Sequence, residues 1–105
     1  MKGVALKSSH IYLSGEVANP VFGDIIHAYA KYVEEHKQLL ITPVSSAWFA
    51  KMYEPTQFML KARNLQGDRT LAIHEILIDH EIDPSDRELE YEIVERTQLI
   101  KVKME

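Results

Sequence analysis

The sequence predicts an α+β fold: an antiparallel sheet, built from a C-terminal three-strand meander plus an N-terminal strand or hairpin, with one long amphipathic helix packed on one face and a second short helix. Three observations carry this expectation. The segment 88–104 matches itself in apolar and charged pairs when folded about Arg96-Thr97. Residues 20–37 carry apolar side chains at three- and four-residue steps. The 105-residue length and 46% hydrophobic content suit one domain, 1–105, with a core of its own.

Along the chain, residues 3–17 alternate loosely between apolar and polar. Val4 and Leu6 fall on one parity, and Ile11, Leu13 and Val17 on the other. A bulge or turn near Ser8-Ser9-His10 reconciles them as a bent strand or a hairpin. Asn19-Pro20 reads as a helix start, because Asn can cap and Pro is tolerated at the first helical position. From there Phe22, Ile25, Ile26, Tyr29, Tyr32 and Val33 form a stripe, which predicts a helix over 20–37 of about five turns.

Leu39 to Thr42 reads as a short buried strand ended by Pro43. Ser45-Ser46 is positioned to cap a second helix, with Trp48, Phe49, Met52 and Tyr53 on one side and Pro55 as its end. Residues 57–63 read as a strand and 65–68 as a turn into Thr70. Residues 70–82 are apolar on even positions (Ala72, Ile76, Ile78, Ile82) and are taken as the first strand of the meander. The alternative is a helix over 72–80, which would point Ile78 outward. Asp83-Pro84-Ser85-Asp86 is a turn. In the closing hairpin Tyr91 meets Val102 and Ile93 meets Ile100 on one face, while Glu90 meets Lys103 and Glu92 meets Lys101 on the other.

The formal net charge of −4 is unevenly spread. Residues 1–65 carry seven Lys/Arg and five Asp/Glu, a net +2; residues 66–105 carry five and eleven, a net −6. The acidic half disfavours nucleic acid as a partner, since binding phosphates takes many Lys/Arg contacts. With no cysteine, disulfides, thiolate metal sites and a cysteine nucleophile are excluded, and a reducing, cytoplasmic setting is expected. No stretch reaches the ~18–20 apolar residues of a membrane span, so no membrane partner is expected.

Catalytic patterns are absent. Ser8-Ser9 and Ser45-Ser46 lack a nucleophile elbow, and the isolated glycines make neither a phosphate loop nor a dinucleotide fingerprint. His74 and His80, on one strand, would lie about 20 Å apart, too far to share a metal. No catalytic residue, cofactor or metal ligand is therefore expected. With the turn at 83–86 setting the register, Asp79 would oppose Glu90 and Glu81 would oppose Glu88, an acidic ladder needing a cation or a basic cover.

Trp48, Phe49, Lys51, Met52 and Tyr53 offer an aromatic surface with a basic edge, with Lys61, Arg63 and Arg69 expected near Lys51. The acidic strands with Asp79, Glu81, Glu88 and Glu90 complement it. Together they predict a non-catalytic protein acting through protein–protein assembly with itself or a partner, and homo-oligomerisation is expected. A small enzyme or ligand binder using His10, His74 or His80 with nearby carboxylates, in a pocket between helix and sheet, is the alternative. The strand rhythm from Phe58 through Asp79, followed by acidic alternating strands, resembles tube-forming proteins of phage tails and related contractile systems. That resemblance covers less than half the chain and implies a component of a larger bacterial or phage assembly. It carries over no residue role.

Overall fold

Two five-strand antiparallel sheets face each other across one core, in a computed structural model that describes residues 3–105. The strands are β1 (Val4–Lys7), β2 (His10–Leu13), β3 (His27–Val33), β4 (Gln38–Pro43), β5 (Thr56–Met59), β6 (Lys61–Ala62), β7 (Arg69–Ala72), β8 (Arg87–Leu89), β9 (Tyr91–Val94) and β10 (Leu99–Lys103). The helices are α1 (Gly15–Phe22), α2 (Ala47–Tyr53) and α3 (His74–Asp79). The first sheet has the order β6-β7-β2-β1-β8 and the second β5-β3-β4-β10-β9.

The two sheets share their edges. β5 and β6 are separated only by Leu60, and β8 and β9 only by Glu90. The segment 56–62 pairs first with β3 and then with β7. The segment 87–94 pairs first with β1 and then with β10. Sandwich corners form where a strand bends from one sheet into the other. Here the bends stay hydrogen-bonded: the Leu60 amide donates to the Ile26 carbonyl at 2.7 Å, and the Lys103 amide to the Glu90 carbonyl at 2.9 Å. Strands that switch sheets in this way leave little edge for unwanted pairing.

The alternation of each strand decides its inner face. Val4, Leu6, Ile11, Leu13 and Leu71 point inward from the first sheet; Ala28, Ala30, Leu39, Ile41, Ile100 and Val102 do so from the second. The N-terminal segment is a hairpin with its turn at Ser8-Ser9, both at positive φ (48° and 62°). The C-terminal hairpin has the expected register, Tyr91 with Val102, Ile93 with Ile100 and Glu92 with Lys101.

The long helix over 20–37 does not form. α1 starts earlier, at Gly15, and takes Pro20 inside it. Val17, Ala18, Val21 and Phe22 are its buried stripe. It stops at Gly23, whose φ of 54° breaks the helix while its amide still reaches the Asn19 carbonyl. Past that stop, 27–33 is a strand. Ala28 and Ala30 are buried, and Tyr29 and Lys31 turn the other way. The helical spacing of Ile25, Ile26, Tyr29 and Val33 was coincidental, and Ile26 is 58% exposed.

The three-strand meander is also corrected. Only 69–72 is strand, and it pairs with β2. Where Ile73 donates its amide to the Ser9 carbonyl, the chain turns into α3, the helical alternative. Ile73 and Leu77 are buried, and Ile78 points outward, as that reading requires.

Candidate functional site

α2 is anchored at both ends. Thr42, fully buried on β4, donates its hydroxyl to the Gln98 carbonyl at 3.0 Å and hydrogen-bonds the Ser46 hydroxyl at 3.1 Å. Ser46 occupies the N-cap position, yet its hydroxyl serves Thr42 and makes no cap to the helix. The expected Ser45-Ser46 cap is thus replaced by a tether to β4. At the other end Glu54 takes a left-handed conformation (φ 47°) and Pro55 follows.

This places the four large side chains of α2 on two sides, not one. Phe49 is fully buried on the outer face of the second sheet, against Leu40 and Leu99, with Tyr29, Tyr53 and Val94 around it. Tyr53 stacks on it at 4.8 Å between ring centroids, and Trp48 meets it edge-on at 5.6 Å. Trp48 and Met52, one helical turn apart, turn away and are 40% and 67% exposed. Lys51 is exposed beside them.

The acidic ladder is corrected. Asp79 ends α3 and Glu81 follows at positive φ (53°), while Glu88 on β8 sits opposite Ala5. Neither Asp79–Glu90 nor Glu81–Glu88 is formed, because β8 pairs with β1 instead of with 70–82. What remains is a row of exposed carboxylates, Glu88, Glu90 and Glu92, at every second position of the segment 87–94. Glu90 reaches Lys103 at 3.5 Å, both exposed, a pair worth about 0–1 kcal/mol.

The basic residues do not gather at Lys51. Arg69 is spent on the backbone carbonyls of Gly23 and Ile25, where it ties β7 to the end of α1. Lys61 and Arg63 lie at the first sheet's edge, and the Arg63 guanidinium sits 5.8 Å from the Tyr12 ring centroid. Lys7 approaches the same ring at 5.6 Å.

His74 and His80 are not on a strand face. His74 opens α3 and His80 follows its end. His80 Nδ1 lies 2.6 Å from Glu34 Oε1, in the turn between β3 and β4, and its ring packs on Tyr32 at 4.7 Å. Burial first, then the Glu34 and Glu105 carboxylates, hold the Tyr32 phenol above its ordinary range. Tyr32, His80 and Glu105 line an open groove of about 490 Å³ with Lys37, Ile82, Arg87 and Met104, while Glu34 lines the adjoining one with Tyr32, His80 and Asp79. Sequence reasoning missed the His80–Glu34 pair because it joins residues 46 positions apart. His10 instead bonds locally, its Nδ1 2.8 Å from the Ser8 carbonyl. Among the described residues no three His, Asp or Glu side chains are grouped to hold a metal ion, and no helix is long and apolar enough to cross a membrane.

No family model, curated protein or solved structure matches this chain. The resemblance to tube-forming proteins rested on a strand rhythm that the chain breaks after Ala72, where Ile73 leads into α3.

Proposed function

We propose that this protein is a non-catalytic component that works through protein–protein contact with copies of itself, using α2 as its contact element. The observation that carries the reading is the division of α2 into two sides. Phe49 locks one side to the sheet, and the other presents Trp48 and Met52 to solvent. Trp and Met are enriched where proteins meet, and a helix held rigidly loses little entropy on docking. Lys51 and Glu54 border this side and cancel in charge. The filled interior, with Phe22, Ile11, Leu39 and Ile100 all fully buried, supports a structural role over a buried catalytic cavity.

Sedimentation velocity over a hundredfold concentration range tests the reading. The wild type should shift to larger species as concentration rises, and Met52→Glu should suppress the shift with the far-ultraviolet spectrum unchanged. A protein that stays monomeric at the highest concentration refutes self-association.

A second reading, a small-ligand site, is favoured by the His80–Glu34 pair. A carboxylate on Nδ1 fixes the imidazole orientation and leaves the other nitrogen for a ligand. A fragment screen by NMR that perturbs Tyr32 and His80 together, and fails with Glu34→Gln, would support it; the absence of any hit in the groove would remove it.

A further inference from the structure

The outer face of the first sheet is the one that no helix packs upon. The buried side chains of α1 and α3 join the central core, and Phe49 of α2 goes to the outer face of the second sheet. Residues paired across neighbouring strands share a face, so the registers spell out a row on this open one. Glu88 pairs with Ala5, Ala5 with Tyr12, Tyr12 with Thr70, and Thr70 with Lys61. The row crosses the whole sheet, from β8 at one edge to β6 at the other, with Tyr12 on the middle strand. Its chemistry runs acid, small, tyrosine, small, base.

Both charged ends of the row lack a partner. Glu88 and Lys61 are exposed, and among the described residues neither lies within ion-pair distance of an opposite charge. They cannot meet within one copy, because four strand spacings of about 4.8 Å hold them roughly 19 Å apart. Between them Ala5 and Thr70 are buried and too short to hold a second surface off. The half-buried Tyr12 ring lies between the Lys7 ammonium and the Arg63 guanidinium, 5.6 and 5.8 Å from its centroid.

We infer that this Tyr12 face packs on the same face of a second copy, about a two-fold axis that runs parallel to the strands over β2. That operation reverses the order of the strands and keeps the position along them. Glu88 then lies over Lys61 of the second copy, and Lys61 over its Glu88. Ala5 lies over Thr70, and the two Tyr12 rings meet at the axis, where offset stacking suits them. In the neighbouring row Lys7 falls over Ala72 and His10 over its counterpart. An axis across the strands would instead set Glu88 on Glu88 and Lys61 on Lys61, which repulsion disfavours. The row is its own charge complement, and this selects a second copy as the occupant. The contact is isologous, so it closes at a dimer. It goes beyond the α2 reading and does not use α2, which stands on the outer face of the opposite sheet.

The test reads this contact alone. The parent chain carries Met52→Glu, which takes α2 out of association. It is studied at about 0.01 M ionic strength, where charges are screened only beyond about 30 Å. Sedimentation velocity should show it forming dimers and nothing larger. Adding Glu88→Lys or Lys61→Glu puts like charges face to face and should weaken dimerisation at least about tenfold. Both sites are exposed, and an unchanged far-ultraviolet spectrum verifies the fold of each variant. Mixed in equal amounts, the two variants should pair with each other as tightly as the parent does with itself, because the reversal in one copy answers the reversal in the other. The chain carrying both reversals should recover in the same way. Single reversals that dimerise like the parent, or a mixture that stays monomeric, would overturn the inference. So would a parent that is monomeric at low salt, and a wild type that still associates would then leave the α2 reading standing.

Discussion

Asp68 joins two distant segments with its two carboxylate oxygens. One accepts the Gly15 amide at 2.7 Å, at the start of α1, and the other accepts the Asn64 side chain at 2.9 Å in its own loop. The Asn64 hydrogen bond first, and the Gly15 amide second, hold its carboxyl below the usual carboxylate range. A depressed acid stabilises the fold above its unfolded value and loses that contribution as pH falls through the folded one. The start of α1 should therefore loosen only below the ordinary aspartate range. Hydrogen exchange at Gly15 checks this: protection constant from pH 7 to 5, lost in acid, and lost at every pH in Asp68→Ala. Gly15 itself has no room for a side chain, because a Cβ there would run into the Gln66 carbonyl oxygen. Gly15→Ala should cost about 1–3 kcal/mol in chemical denaturation.

Elements were legible where one pattern had one physical meaning. The C-terminal hairpin was readable because its turn and its cross-strand matches agree, down to Glu92 opposite Lys101. Residues 3–17 were legible only as a bent strand or a hairpin; the hairpin closes at Leu13, and Val17, read with it, belongs to α1. The region 20–37 was misread because two periods overlap in it. Tyr29, Lys31 and Val33 alternate with Ala28, Ala30 and Tyr32 as a strand requires, but alanine is too small and too good a helix former to announce the buried face. Gly23 was the signal that decided the matter, since a five-turn helix would have had to run through it. The consequence is measurable. Ile26, on the misread stripe, is exposed, so Ile26→Ala should change stability by less than about 0.5 kcal/mol. Ile41→Ala, at a fully buried position of β4, should cost about 2–5 kcal/mol. A urea midpoint that moves as far for Ile26 as for Ile41 would contradict this burial.

At the scale of the molecule, what the sequence concealed is that two strands each serve two sheets. Alternation runs unbroken through Leu60 and through Glu90, so nothing in the period marks where the partner changes. The candidate surfaces were hidden for the same reason. The aromatic helix was readable as an element, but the Tyr12 face assembles from residues of β1, β2 and the loop after β6, which only the topology brings together. Shared strands also couple the sheets energetically. Opening the first sheet at β6 or β8 strains β5 or β9 in the second, and both sheets line the same apolar core. The chain should therefore unfold as one cooperative unit. Trp48 fluorescence reports on α2 above the second sheet, and exchange of the Ile11 and Leu71 amides reports on the first. In urea the two should give the same midpoint and the same slope. Leu60→Ala, at the buried corner, should lower stability by about 2–5 kcal/mol and move both probes together. If the first sheet lost protection while Trp48 fluorescence held its native value, the corners would be hinges between two independent halves, and the coupling argued from them would fail.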